Sequence, residues 1–205
     1  MKQGINVSIT FIVTLIVTIL LFAVVLYLFG VLGGGIEDIG REVDEKTRDQ
    51  INYLINSERQ LVAMPFNVKE SELDSLVVFG LGIRNDGPLR PFNVKAIFDA
   101  AYDPDGNPRT TVNENHMNEH WASGANVFDA FEVEQNELRI VGLPFVAHSS
   151  IAPNRATPPG DYVFNVCVYP VGGPEPSCIL DSISTEANLL YPAGKIFQAT
   201  IRVPR

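Results

Sequence analysis

The chain has 205 residues with 24 acidic and 15 basic side chains, which gives a formal net charge of −9 at pH 7. A chain this acidic does not offer the basic groove that follows a phosphate backbone, so nucleic acid is excluded as the expected partner. An acidic surface keeps a domain in solution but does not specify its task.

The first feature in chain order is an apolar run from Ile5 to Leu32 that contains no charged side chain. A bilayer core of about 30 Å needs roughly 20 apolar helical residues, so this run is long enough to span it. A secretory signal peptide is the alternative, but its apolar region has about 7–15 residues and ends in a small-residue cleavage site. We therefore predict a retained transmembrane helix in membrane lipid. We place its N-terminus in the cytoplasm and the C-terminal domain outside.

Three consecutive glycines, Gly33, Gly34 and Gly35, separate the apolar run from a charged segment. We interpret them as a hinge at the membrane exit, where a helix can bend at little steric cost. From Ile36 to residue 60 the apolar residues recur at helical spacing, which predicts an amphipathic helix. Two interpretations stay open: one face packs on the chain's own domain, or the helix is a stalk that bundles with copies of itself. The predicted units are residues 1–35, a helical stalk over 36–60 and a β-domain over 61–205.

After Met64-Pro65 the periodicity changes from helical to two, which is typical of half-buried strands. Apolar or alternating runs predict six strands, over residues 76–83, 92–98, 127–133, 138–146, 162–168 and 195–203. Residues 109–126 lack such a pattern, and we expect an insertion or a long loop there. The predicted fold class is therefore mainly β. It is an antiparallel immunoglobulin-like β-sandwich preceded by a long N-terminal transmembrane-plus-amphipathic helix.

The two cysteines, Cys167 and Cys178, flank a segment that contains Gly172-Gly173. If these glycines form a two-residue hairpin turn, the cysteines face each other across two strands, close enough for a disulfide. Two buried free thiols are the alternative. We predict the disulfide, because a spanning helix upstream places the domain in an oxidising compartment.

Two groups of residues have the composition of metal ligands. His116, Glu119 and His120 match the His-x-x-Glu-His pattern of inverted zinc proteases, in which two histidines four apart share a metal and the glutamate is a base. Asp103, Asp105 and Asn107 alternate as in calcium loops, although a hairpin turn explains the same composition. A polar loop and a turn are the simpler interpretations, and His148 stands alone in the sequence. We therefore predict no catalytic residue, no bound metal and no cofactor, and we keep a zinc-dependent hydrolase as an alternative of a different class.

Three segments together resemble a known family. "GIRNDGPLRPFNV" and "PPGDYVFNVCV" look like segments of extracellular immunoglobulin-like modules, and a short "MKQG" start precedes the long apolar helix. This arrangement is similar to archaeal type IV pilin-like proteins, including the membrane-anchored stator component of the archaellum. The resemblance implies an extracytoplasmic domain with a role in assembly or load-bearing, and it maps a processing site to Gly4.

The function expected from all of these features is that of a membrane-anchored cell-surface protein. It would present its domain to other cell-surface proteins or to copies of itself. A processed pilin-like filament subunit is the alternative within the same family.

Overall fold

The computed structural model describes residues 43–122 and 127–205, together with Val17, Thr18, Leu20 and Phe22, which are helical. The remainder of the predicted span, the glycine hinge at residues 33–35 and the predicted processing site at Gly4 lie outside the described residues. Among the described residues, no helix combines the length and apolar character needed to cross a membrane. The chain divides into two compact units, Met1–Ile39 and Gly40–Arg205, and the second contains all the elements below.

The second unit is mainly β. Its strands are β1 (Val62–Ala63), β2 (Val68–Glu70), β3 (Leu76–Arg84), β4 (Arg90–Tyr102), β5 (Val127–Val133), β6 (Leu138–Val146), β7 (Ser150–Ala152), β8 (Arg155–Ala156), β9 (Gly160–Pro170) and β10 (Phe197–Val203). Its helices are α1 (Glu45–Asn56), α2 (Glu114–His120), a 3₁₀ turn (Leu180–Ser182) and α3 (Ile183–Glu186). All six strands predicted from the periodicity are present, and the bounds of β5 and β6 agree with the prediction to the residue.

The strands form two larger sheets and one small hairpin. The first sheet has the order β1-β3-β6, the second has the order β2-β10-β9-β4-β5, and β7 pairs with β8. Every strand pairing is antiparallel except that of β2 with β10, which is parallel. The mainly β, antiparallel prediction is therefore confirmed.

One hydrophobic core fills the space between the two larger sheets. Phe79 and Phe145 of the first sheet meet at 5.5 Å between ring centroids, and Phe145 also lies 5.1 Å from Phe164 of the second sheet. The predicted inward face of β9 is buried in this core (Tyr162, Phe164, Val166 and Val168). Strand alternation explains the arrangement, since every second side chain along a strand points to the same face of its sheet.

Helix α1 packs on the outer face of the three-stranded sheet. Ile51 and Ile55 are fully buried there with Ala63 of β1. Phe79, Leu81 and Ile83 point into the core, so the alternate positions of β3 face α1, and two of these are the glycines Gly80 and Gly82. The apolar face of α1 is therefore covered by the chain's own domain, as in the first of the two interpretations offered for residues 36–60.

Two expectations about irregular segments are wrong. The segment expected to be a loop, residues 109–126, contains helix α2, which begins after Asn113. Cys178 does not lie on a strand opposite Cys167, because β9 ends at Pro170 and the Pro-rich segment after it is irregular. Cys167 faces Lys95 of β4 in the sheet instead.

Candidate functional site

The chain's three histidines come together at one end of the domain. His116 and His120 lie on α2, and His148 lies in the loop between β6 and β7. Their ring centroids are 4.2 Å apart for His116 and His120, 5.3 Å for His120 and His148, and 5.9 Å for His116 and His148. We call these three residues the histidine cluster. It corrects the expectation that His148 stands alone.

Local sequence explains why α2 forms. The Asn113 side chain caps the helix by accepting a 2.9 Å hydrogen bond from the His116 N–H, as asparagine does at helix N-termini. Met117 is fully buried on the inner face, and Trp121 follows the last turn in the core. Four residues separate His116 from His120, so both imidazoles lie on the same outer face of the helix.

Backbone hydrogen bonds hold both ends of α2 beside the β6–β7 loop. The Asn113 N–H donates to the Ile151 carbonyl at 3.0 Å, and the Val146 N–H donates to the Trp121 carbonyl at 2.8 Å. In addition, the Asn118 side chain accepts a 2.7 Å hydrogen bond from the Phe98 N–H of β4. The positions of the three histidines are therefore set by the packed core.

Ser150 is the polar centre of the cluster. Its hydroxyl lies 2.8 Å from His116 Nε2 and 3.0 Å from His148 Nδ1, and its N–H donates to the same His148 nitrogen at 3.2 Å. The Ser150 carbonyl accepts a 3.0 Å hydrogen bond from the Trp121 indole. The hydroxyl thus lies between two imidazole nitrogens, and the backbone of the same residue contacts the chain's single tryptophan.

The histidine rings differ in their exposure to solvent. Burial lowers the pKa of the His116 imidazole below its ordinary value of 6.5, and the nearby His120 and then His148 lower it further. The His120 side chain is 40% exposed, and its Nε2 lies 4.0 Å from the Glu119 carboxylate, which is 74% exposed. The cluster is therefore open to solvent on the side of His120 and Glu119.

Within residues 43–122 and 127–205, no group of three or more His, Cys, Asp or Glu side chains is placed so that it could hold a metal ion as the side chains stand. The structure brings His116, Glu119 and His120 together as the motif predicts and adds His148. The imidazole nitrogens of His116 and His148, however, hydrogen bond to Ser150. Sequence reasoning missed both His148 and Ser150, because their proximity to α2 depends on the tertiary fold. The capping residue Asn113 was the available signal for the helix itself.

The candidate calcium residues close a turn. Asp103 accepts hydrogen bonds from the Asp105 N–H at 2.9 Å, and from the Asn107 N–H and side chain at 2.8 and 3.0 Å. The Asn107 side chain, followed by its N–H, lowers the pKa of Asp103. Asp105 pairs with Arg205 at 3.2 Å. The carboxylates are therefore used within the turn that follows β4.

The predicted disulfide between Cys167 and Cys178 is confirmed. Both residues are fully buried and their Cα atoms are 6.0 Å apart. The bond ties the irregular segment 171–196 to the outer face of β9, where Leu190, Ile97 and Ile196 complete a small apolar cluster. Lys95 supports the same segment through a 2.6 Å ion pair with Glu175 and a 2.9 Å hydrogen bond to the Pro176 carbonyl.

A shallow depression of about 370 Å³ lies beside the C-terminus. Of its three charged lining residues, Asp161 and Arg202 pair with each other at 2.8 and 2.9 Å, and Arg205 pairs with Asp105. The pairing with Arg202 holds the pKa of Asp161 below its ordinary value. Because these charges are already paired within the chain, the depression is a weaker candidate for a functional site than the histidine cluster.

Comparison with known proteins assigns no family. No protein-family model and no curated protein matches the chain. Solved structures with weak similarity include a family 123 glycoside hydrolase from Clostridium perfringens, at 12% identity and a TM-score of 0.35 over 66% of this chain and 22% of that one. The sporulation control protein Spo0M from Bacillus subtilis has 9% identity and a TM-score of 0.35 over 70% and 48% of the two chains. The class 5 fimbriae chaperone CfaA has 13% identity and a TM-score of 0.34 over 70% and 56%. The chain thus spans less than two thirds of the length of these structures, and scores this low carry no functional argument.

Proposed function

We propose that the chain is a single-pass membrane protein that presents an immunoglobulin-like β-sandwich outside the cytoplasm. Its role is structural or protein-binding, with cell-surface proteins or further copies of itself as partners. The buried disulfide between Cys167 and Cys178 is the observation that carries this proposal. Structural disulfides persist in oxidising compartments and are rare in a reducing cytosol. The apolar run from Ile5 to Leu32 provides the route by which the domain reaches such a compartment.

Core details support the immunoglobulin-like assignment. Tyr162 lies near the start of β9, and its hydroxyl donates to the Pro158 carbonyl four residues upstream at 2.6 Å. This geometry resembles the tyrosine corner of immunoglobulin-like sandwiches. Burial of the ring raises the pKa of Tyr162 to about 12, so the hydroxyl keeps its proton at physiological pH. The fully buried Trp121 packs on Tyr162 at 4.6 Å between ring centroids, on the core side of the same strand.

The disulfide occupies a different place from that of antibody domains. There it links the two sheets across the core, whereas here it fastens segment 171–196 to the outer face of one sheet. Such a fastening gives the segment a fixed surface. A domain whose role is contact with other proteins requires such a preorganised surface.

A topology experiment in intact cells tests the proposal. An epitope tag placed after Arg205 is expected to be removed by protease added outside intact cells, while a cytosolic marker survives. Alkylation before cell lysis is expected to find Cys167 and Cys178 oxidised. In a control chain that lacks residues 5–32, the tag is expected to be protected and both thiols alkylated. Protection of the tag in the full chain, with both thiols free, would refute the proposal.

The filament subunit is the alternative, and N-terminal sequencing of the native protein separates it from an anchored protein. A pilin-like subunit is cut free of its basic start before its helix packs with identical helices. A native chain that begins at Met1 or Lys2 therefore agrees with the anchor, whereas one that begins at Ile5 would favour the filament.

A further inference from the structure

We propose that the histidine cluster binds a late first-row transition-metal dication, with Zn²⁺, Cu²⁺ and Ni²⁺ as the ions of suitable chemistry. Imidazole nitrogens are preferred ligands of these ions. The site is independent of the proposed function, since it concerns the end of the domain formed by α2 and the β6–β7 loop. It requires no catalysis.

The spacing of the three rings is close to that of rings that share a metal. A zinc–nitrogen bond of about 2.0–2.1 Å puts an imidazole centroid about 3.2 Å from the ion, so two ligating rings lie about 4.5–5.3 Å apart. The observed separations of 4.2, 5.3 and 5.9 Å bracket this range. Small side-chain rotations would therefore let His116, His120 and His148 converge on one ion.

The hydroxyl of Ser150 marks the position of the ion. It contacts His116 Nε2 at 2.8 Å and His148 Nδ1 at 3.0 Å, so both nitrogens already point to a common place. A cation there would replace the two hydrogen bonds of the hydroxyl, which turns away by rotation about one bond, and also the 3.2 Å hydrogen bond from the Ser150 N–H to His148 Nδ1.

The surroundings suit a cation that arrives from solution. His120 is 40% exposed, and the carboxylate of Glu119 lies 4.0 Å from its ring. A carboxylate beside the open side contributes a favourable charge and an oxygen ligand. Because α2 is tied at both ends to β6 and β7, the ligands are held in place before the ion binds. Bound metal would in turn link α2 to the β6–β7 loop and stabilise the fold by mass action.

The single tryptophan provides a built-in reporter. Trp121 is adjacent to His120 in sequence, and its indole donates to the Ser150 carbonyl at 3.0 Å. Titration of the full chain with Cu²⁺ or Ni²⁺ is therefore expected to quench Trp121 fluorescence in a saturable way. Titration calorimetry with Zn²⁺ is expected to find about one ion per chain.

Matched variants test the ligand set. His116→Gln, His120→Gln and His148→Gln are each expected to weaken binding by at least about tenfold, because the loss of an outer-shell partner alone typically costs about 10–100-fold. Glu114→Gln, on the same helix, is the control and is expected to leave the affinity within twofold of the wild type. Ser150→Ala removes the competing hydroxyl and is expected to preserve or tighten binding.

Three results would overturn the proposal: no saturable binding, unchanged binding when all three histidines are replaced, or unchanged binding in His148→Gln. The last result would mean that any bound metal is held by His116 and His120 of α2 without His148. If a variant fails to fold by circular dichroism, the wild-type chain still provides a test. Zn²⁺ is expected to protect all three histidines from modification by diethyl pyrocarbonate, as measured by mass spectrometry. If any of the three is modified as fast with Zn²⁺ as without it, the proposed site is wrong.

Discussion

Gly80 and Gly82 show at the residue scale how the sequence allows α1 to approach its sheet. A Cβ atom at Gly80 would lie 2.7 Å from Val43 Cγ1, and one at Gly82 would lie 2.9 Å from Ile55 Cδ1 and closer still to Ile51 Cγ2. Contacts this short do not occur between carbon atoms. The two glycines interrupt the apolar run of β3 because the helix occupies the space that their side chains would fill.

Gly82→Ala is expected to lower the free energy of unfolding by about 1–3 kcal/mol, the usual cost of overpacking a closely packed site. The neighbouring Ile51 Cγ2 is attached directly to a branched carbon and cannot swing away. Gly173→Ala is the matched control, because a Cβ there meets nothing within 4 Å. Chemical denaturation of both variants measures the difference. Equal stability of the two variants would show that α1 does not rest on β3.

Asp44 is the second residue with a measurable role, because it caps α1. Its carboxylate accepts hydrogen bonds from the Thr47 hydroxyl at 2.7 Å and the Thr47 N–H at 2.9 Å. Asp44→Ala is expected to lower the free energy of unfolding by about 1 kcal/mol, and Asp44→Asn, which also caps helices well, by much less. If both variants unfold at the wild-type denaturant midpoint, the cap does not contribute.

The same carboxylate predicts a pH dependence. The Thr47 hydroxyl, and then its N–H, hold the pKa of Asp44 below its ordinary value of 3.8. A lowered pKa means that the folded chain binds the proton less readily than the unfolded chain. This contribution is therefore fully present above about pH 4 and is lost as the pH falls below 3.8 toward the lowered value. The stability difference between wild type and Asp44→Asn is expected to shrink in that window, as measured by denaturation at stepped pH.

At the scale of elements, the six longer strands could be predicted, whereas the short strands β1, β2, β7 and β8 and the small helices could not. Alternation such as Tyr162, Phe164 and Val166 follows from one buried face, and a sequence shows it directly. Helix α2 has seven residues, of which Met117 is the buried one, so it offers no apolar period to detect. Its position depends on backbone hydrogen bonds to β6 and β7, which are distant in sequence.

The candidate site was partly predictable for the same reason. The spacing of His116 and His120 places them together on any helix, so the motif alone identified two members of the histidine cluster. His148 and Ser150 join them only because β6 and β7 pass beside α2. The cysteine pair was correctly joined for a mistaken geometric reason, since two residues separated by 11 positions can meet without lying on a hairpin.

The attachment of segment 171–196 to the outer face of β9 depends on the disulfide between Cys167 and Cys178. Removing the bond in Cys167→Ala/Cys178→Ala is expected to cost about 3 kcal/mol, on the chain-entropy account of cross-links. Hydrogen exchange is expected to increase across 171–196 while Phe79 and Phe164 in the core stay protected. Lys95→Met, which breaks the 2.6 Å ion pair with Glu175 but keeps the bond, is the control and is expected to have a smaller effect. Unchanged exchange in the double variant would show that apolar contacts alone hold the segment.

At the scale of the whole molecule, apolar and charged residues are divided between two regions of the chain. The run from Ile5 to Leu32 has no charged side chain, while the unit Gly40–Arg205 has its own core and carries nearly all of the charges. A unit that buries its own core is expected to fold without the rest of the chain. The expected roles of the two regions are therefore separable: one in lipid, one in water.

This separation leads to a partition experiment. Residues 40–205 expressed alone are expected to remain in the aqueous phase of a detergent phase separation and to unfold in a single cooperative transition. The full chain is expected to enter the detergent phase, because exposing the predominantly apolar run from Ile5 to Leu32 to water is far more costly than transferring it to lipid. Replacing Leu15, Leu20 and Leu21 with aspartate supplies the control, since each charge at the centre of a span costs about 2.5–3.5 kcal/mol and the variant should return to the aqueous phase. Partition of the unmodified full chain into water would remove the anchor from the proposed function, while leaving the fold and the histidine cluster of residues 40–205 unaffected.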